Sequence, residues 1–157
     1  MENPTVLGVD IGGSHITAAI VDLDKGTLIR DSIKRNEVNS RSDKETILTA
    51  WCKVIRSANG GSLKDDTKIG IAMPGPFDYK NGISLIKDQD KFNSLFGLNI
   101  KQELAERLNI PASNIKFVND AACFMYGEAN YGAAKGFNNA LGITLGTGLG
   151  SATAING

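Results

Sequence analysis

Two stretches of this chain carry the same short pattern. Leu7-Gly8-Val9-Asp10-Ile11-Gly12-Gly13-Ser14 lines up with Leu141-Gly142-Ile143-Thr144-Leu145-Gly146-Thr147-Gly148, 134 residues later. In each, an apolar run of strand length meets a glycine turn and then a second β-rich run, so each reads as strand–turn–strand. At the same offset Ala18 meets Ala152, Val21 meets Ile155 and Asp22 meets Asn156. A repeat of this period predicts two related lobes, the second only begun; chance likeness between two glycine-rich hairpins is the alternative.

Between the two patterns the order of elements is legible. Residues 6–11, 15–22 and 27–33 read as three strands joined by short turns, hence antiparallel neighbours. Ser42, with Glu45 three residues on, has the form of a capping box. Ile47, Leu48, Trp51, Val54, Ile55 and Ala58 then recur at helical spacing, and Gly60-Gly61 ends the run. Residues 68–73 form an apolar strand broken by Pro74-Gly75-Pro76, which can continue neither a ladder nor a helix. A loop with Lys80-Asn81-Gly82 leads to a second amphipathic helix, capped by Asn99 and marked by Ile100, Leu104 and Leu108. Residues 115–118 are a strand, residues 121–130 a third helix, and residues 139–145 and 151–155 a last strand pair. The expected fold class is α/β: a mixed sheet of three antiparallel strands followed by α/β crossovers, with helices on its faces. We expect a first lobe over residues 1–118 and the start of a second over residues 119–157.

Several residues in this order can carry chemistry. Asp10 ends a strand beside Gly12-Gly13-Ser14, where backbone N–H groups can approach phosphate oxygens, Ser14 can add a hydroxyl and Asp10 can hold Mg²⁺ through water. A plain hairpin turn is the other reading. The matching turn at Gly146-Thr147-Gly148 favours a phosphate clamp made of two facing loops. Neither turn is a Walker A loop or a dinucleotide fingerprint, because no Gly-Lys-Ser/Thr occurs and a strand, not a helix, follows Gly13. Asp120 sits where a strand gives way to a helix, the place from which a carboxylate can take a proton from an attacking hydroxyl. Asn119 beside it can bond a polar ligand, although Asn and Asp also sit at such junctions simply as caps. Gly75 presents its backbone in a loop that lines a ligand site or merely turns the chain. His15 reads as an exposed or edge-strand residue, with a catalytic role as the alternative, Cys52 and Cys123 as packing residues, and residues 87–91 as a solvated loop that could reach a sugar.

Together these motifs resemble the ROK family (repressors, open reading frames and kinases) of the sugar kinase, actin and heat-shock chaperone superfamily. Residues 7–16 resemble its first phosphate motif, Asp-x-Gly-Gly-Thr, with Ser14 in place of Thr. Gly70-Ile71-Ala72-Met73-Pro74-Gly75-Pro76-Phe77-Asp78 resembles its Pro-Gly-Pro loop, and Asn119-Asp120-Ala121-Ala122 through Gly127-Glu128 its catalytic stretch. Leu145-Gly146-Thr147-Gly148-Leu149-Gly150 resembles its second phosphate motif. The resemblance implies a ribonuclease-H-like, actin-like fold and ATP- and Mg²⁺-dependent phosphorylation of a hexose, glucose or an amino sugar. It implies Asp120 as the base and Gly75, Asn119 and Asp120 around the sugar. Asp10, Gly12, Gly13, Ser14, Gly146, Thr147 and Gly148 would surround ATP, with Asp10 on the metal. Ala122 departs from the family's second Asn, and Lys91-Phe92-Asn93 stands near its Trp-Asn element. The family's later sugar-binding histidine and zinc motif have no counterpart in these residues, so the chain is expected to be the first lobe plus one hairpin of the second, inactive alone. A non-catalytic nucleotide- or sugar-sensing module on the same fold is the competing reading.

Charge and apolar patterning narrow the partners. Lys+Arg and Asp+Glu are 17 each, a net charge of zero with no basic block, which argues against nucleic acid. No apolar run approaches bilayer length, and Met1-Glu2-Asn3-Pro4 lacks the form of a signal peptide, so a cytoplasmic protein is expected. The unpaired edges of the last hairpin predict a homo-oligomer.

Overall fold

In a computed structural model, residues 4–146 and 148–156 are described. The chain runs β1 (Thr5–Ile11), β2 (His15–Asp22), β3 (Thr27–Leu28), β4 (Lys34–Glu37), α1 (Lys44–Ala58), β5 (Ile69–Met73), β6 (Phe77–Asp78), β7 (Ile83–Ser84), α2 (Ile100–Leu108), β8 (Ile115–Asn119), α3 (Asp120–Tyr131), β9 (Asn139–Leu145) and β10 (Leu149–Ile155). The main sheet has the order β3-β2-β1-β5-β8, with β4 also on β2. β1 pairs antiparallel with β2 and parallel with β5, which pairs parallel with β8. The expected mixed sheet is therefore present.

Strand alternation divides the sheet into two unlike faces. Leu7, Val9 and Ile11 of β1, with Ile69, Ile71 and Met73 of β5, are buried on one face beneath α1 and α2. Ile47, Leu48, Trp51, Val54 and Ile55 form the buried stripe of α1, as their spacing requires. Trp51 is fully buried and meets Phe92 edge-on, with ring centroids 5.4 Å apart. The opposite face carries Gly8, Asp10, Gly70 and Ala72 and is left open as the floor of a cleft. α3 and the β9–β10 hairpin bound that cleft.

Local details differ from the sequence expectation in four places. The cap of α1 is Asp43, not Ser42: its carboxylate accepts from the Thr46 N–H at 3.0 Å and the Thr46 hydroxyl at 2.7 Å. Glu45 does not reach back to close a box; it meets Arg107 of α2 at 3.0 Å. The third strand is split, because Ser32 Oγ donates to Ile29 O and accepts from Ile20 N, folding residues 30–32 into a turn of 3₁₀ helix between β3 and β4. A further hairpin, β6–β7, closes at Asn81-Gly82, where Gly82 has φ +79°. Finally, the two echoing hairpins pair Ile11 with Ile16 but Leu145 with Leu149, so their loops are four and three residues long. The 134-residue offset holds through the first strand of each and slips by one after the turn.

The second hairpin packs on α3 with its small residues. A Cβ on Gly142 would lie 3.1 Å from Met125 Sδ and 3.2 Å from the Phe124 ring, and one on Gly150 3.2 Å from Ala121 Cβ. Leu141, Ile143, Leu145, Leu149 and Ile155 point the other way and are exposed.

Two substitutions test this packing by denaturant unfolding. Trp51→Ala is expected to cost about 3–5 kcal/mol through the cavity it leaves. Asp43→Ala is expected to lower the midpoint at pH 7 while Ser42→Ala leaves it unchanged. Hydrogen bonds from Thr46 hold the Asp43 carboxyl below its ordinary 3.8, so its contribution is complete above that pH and fades as pH falls through the lowered value.

Candidate functional site

The cleft has a volume of about 1050 Å³. Its floor is made of residues with little or no side chain, and a Cβ on Gly70 would meet nothing within 4 Å and so project into the open space. At one end the β1–β2 turn is closed by Gly12 N–H donating to His15 O at 2.8 Å. The Val38 N–H donates to Ser14 O at 2.8 Å and ties the turn to β4. Ser14 Oγ and His15 Nδ1 share a hydrogen bond of 2.8 Å, so His15 is a wall residue of the cleft as well as a strand residue.

The strand-to-helix junction lies at the same rim. Asn119 caps α3: its Oδ1 accepts from the Ala122 N–H at 3.1 Å. Its Nδ2 donates to Tyr79 Oη at 3.1 Å, and Tyr79 in turn donates to Met73 O at 3.1 Å. This chain of bonds joins the end of β5, the β6–β7 turn and the start of α3, where Asp120 is the first residue of the helix. A Cβ on Gly75 would lie 3.2 Å from the same Tyr79 hydroxyl, so the loop approaches the network closely because that position is glycine.

All the sequence-derived site residues that are described line this one cleft: Asp10, Gly12, Gly13, Ser14, Gly75, Asn119, Asp120, Gly146 and Gly148. Thr147 lies outside the described residues. Three participants were not singled out from the sequence: Tyr79, Arg35 and Phe124. Arg35 had no visible signal, since its place depends on β4 pairing with β2. Glu128 also lines the cleft, with its carboxylate accepting from the Ala133 N–H at 2.7 Å. The thiols are quiet, as expected. Burial pushes Cys52 up to about 11, and burial plus the Asp10 and Asp120 carboxylates raise Cys123.

The carboxyl of Asp10 is raised above its ordinary value of 3.8. Desolvation by the cleft walls is the main cause, the Asp120 charge adds to it, and the Arg35 guanidinium opposes both. The fold therefore favours protonated Asp10, and ionising it above pH 3.8 costs stability. Asp10→Asn is expected to raise the melting temperature of the ligand-free chain at pH 7, with the gain vanishing below pH 3.8, where the wild-type group is protonated in both states. Calorimetry across that range checks the sign.

Comparison with known proteins agrees with this geometry. The ROK family model matches residues 6–157. A glucokinase of Thermotoga maritima is 28% identical over 97% of this chain and 45% of its own length. The xylose repressor of Bacillus subtilis is 27% identical over 96% of this chain and 37% of its own length. Among solved structures, an inorganic polyphosphate/ATP-glucomannokinase from Arthrobacter sp. strain KM superposes with a TM-score of 0.80 at 31% identity, covering 98% of this chain and 59% of that one. A ROK glucokinase from Streptomyces griseus, solved with glucose and AMPPNP, gives a TM-score of 0.76 at 29% identity over 98% of this chain and 45% of that one. This chain spans about half the length of the curated relatives it matches. The mixed sheet with its cleft is the actin-like fold of these sugar kinases, and the chain belongs to the ROK family.

Proposed function

We propose that this chain supplies the phosphate- and sugar-facing part of a kinase that transfers a phosphoryl group from ATP to a hexose hydroxyl. The observation that carries the reading is the convergence of two glycine turns and the Asp120 carboxylate on one cleft. Glucokinase relatives and the S. griseus structure with glucose and AMPPNP support it. The donor set fits magnesium nucleotide. Asp10 and Asp120 repel each other across the cleft, a cation would relieve that repulsion, and one or two carboxylates with phosphate oxygens and water are the usual shell of Mg²⁺. Among the described residues no group of three or more His, Cys, Asp or Glu side chains forms a metal site of its own. Bound Mg-ATP supplies the electrophilic phosphorus and the leaving group.

The chain's own residues do the rest. Asp120, fixed at the start of α3, accepts the proton of the sugar hydroxyl as its oxygen bonds to phosphorus and the bond to ADP breaks. Asn119 and the Gly75 loop orient the sugar, with Tyr79 bracing both. Gly12 and Gly146 spend their N–H groups closing the two turns, on His15 O and Gly148 O, which leaves the N–H groups of Gly13, Ser14 and Gly148 to hold phosphate oxygens, and Asp10 would hold the metal through water. On this reading residues 1–118 form one lobe and residues 119–157 begin the other, supported by the packing of the β9–β10 hairpin on α3. A donor made and used in the cytoplasm fits a cytoplasmic protein on this reading. A sugar-sensing module is the second reading, favoured by the xylose repressor relative. It has no need of a base at position 120.

In a full-length protein carrying this sequence, Asp120→Ala is expected to lower kcat by about two orders of magnitude or more while ATP affinity stays nearly unchanged. Gly13→Val is expected to weaken ATP binding instead. Steady-state kinetics over a hexose panel, with nucleotide titrations, separates the two; undiminished turnover by Asp120→Ala would leave the sensing reading. The 157-residue chain alone is expected to turn over slowly and to self-associate through the open hairpin. Sedimentation should show a concentration-dependent oligomer that Leu145→Lys dissolves.

A further inference from the structure

The cleft has a charge problem that its glycine turns do not solve. A nucleotide triphosphate brings several negative charges into a space already holding Asp10, Asp120 and Glu128. Backbone N–H groups supply only partial positive charge. Among the described residues lining the cleft, Arg35 and Lys91 alone carry a fixed positive charge.

Arg35 is placed by sheet register. Asp10 of β1 pairs with Thr17 of β2, and Thr17 pairs with Arg35 of β4, so the three stand in one row across the open face. Directly opposed residues lie about 5 Å apart, which puts Arg35 two strands from Asp10, within the reach of an extended arginine. Lys34, its neighbour in sequence, points to the other face and donates to Asp31 O at 3.1 Å. Among the described residues, no ion pair or side-chain hydrogen bond engages the Arg35 guanidinium, although its charge is felt at Asp10. A planar cation with five donors thus faces a phosphate-sized space with its hydrogen bonds unspent.

We propose that Arg35 binds the terminal phosphates of the donor, reaching across Thr17 to neutralise charge that Asp10 and the glycine turns cannot. The proposal rests on the kinase reading of the same cleft and adds to it the residue that makes the site selective for a chain of phosphates over a nucleoside monophosphate. A guanidinium meets two phosphate oxygens at once, a geometry that a lysine in its place reproduces only in part.

The test titrates the 157-residue chain with ATP, ADP, AMP and sodium tripolyphosphate by calorimetry, comparing wild type with Arg35→Gln, Arg35→Lys and Lys34→Gln. Circular dichroism checks that each variant is folded, which the exposed position of Arg35 favours. Arg35→Gln is expected to weaken ATP and tripolyphosphate by about tenfold or more and AMP by much less, with Arg35→Lys between and Lys34→Gln near wild type. Equal loss for ATP and AMP, or equal loss from Lys34→Gln, would overturn the role of Arg35. Unchanged ATP binding by Arg35→Gln would overturn it too while leaving the kinase reading intact. A wild-type chain that binds neither ATP nor tripolyphosphate would overturn both.

Discussion

Everything at this site depends on one strand having two unlike faces. In β1, Leu7, Val9 and Ile11 are buried under α1, and the residues between them are Gly8 and Asp10. The first set anchors the strand at the centre of the sheet through apolar burial. The second leaves the other face nearly bare of side chains, so a ligand can lie against the backbone. Parallel pairing extends the division to β5, where Gly70 and Ala72 stand beside Gly8 and Asp10 while Ile69, Ile71 and Met73 are buried. A slip of one residue in β1 would put Asp10 in the core and Leu7 and Ile11 in the cleft, and one in β5 would turn Ile69, Ile71 and Met73 into it.

The second requirement is a fixed carboxylate at the rim. Asp120 is held by the Ala121 N–H, which donates to its Oδ1 at 2.9 Å, and indirectly by the cap that Asn119 makes on the same helix and the bond from Asn119 to Tyr79. A single asparagine thus serves the structural role expected at a helix start and ties that start to Tyr79 of the β6–β7 turn. The two readings of Asn119 are compatible, because its amide keeps one N–H and one lone pair beyond those spent on the cap and on Tyr79. Desolvation by the cleft walls, with the Asp120 charge added to it, raises the cost of ionising Asp10. On the kinase reading, that cost is stability given up in the ligand-free protein for a site that a cation and phosphate would complete.

Much of this was legible in the sequence, and the misses have local physical causes. The α1 stripe through Trp51 and the Asn99 cap of α2 were readable because both depend on neighbours within one or two turns. The α1 cap was not. Ser42-x-x-Glu45 and Asp43-x-x-Thr46 are overlapping candidates, and tertiary contacts decide between them: Arg107 draws Glu45 away, and Ser94 Oγ donates to the carbonyl of Ser42. The third strand broke because Ser32 bonds back to β2, a contact between residues 12 apart. Arg35 and Tyr79 escaped notice for the same reason. Their places are set by the β2–β4 register and by a bond spanning 40 residues, which no local pattern encodes.

The central claim is that the two glycine turns cradle the phosphates of one nucleotide. Titration of the ¹⁵N-labelled chain with Mg-AMPPNP, followed by amide chemical shifts, tests it most directly. The amides of Gly12, Gly13, Ser14, Gly146 and Gly148 are expected to shift together along one binding curve, while those of α2 and the β6–β7 hairpin stay still. Shifts at only one of the turns, or shifts centred elsewhere in the molecule, would contradict it.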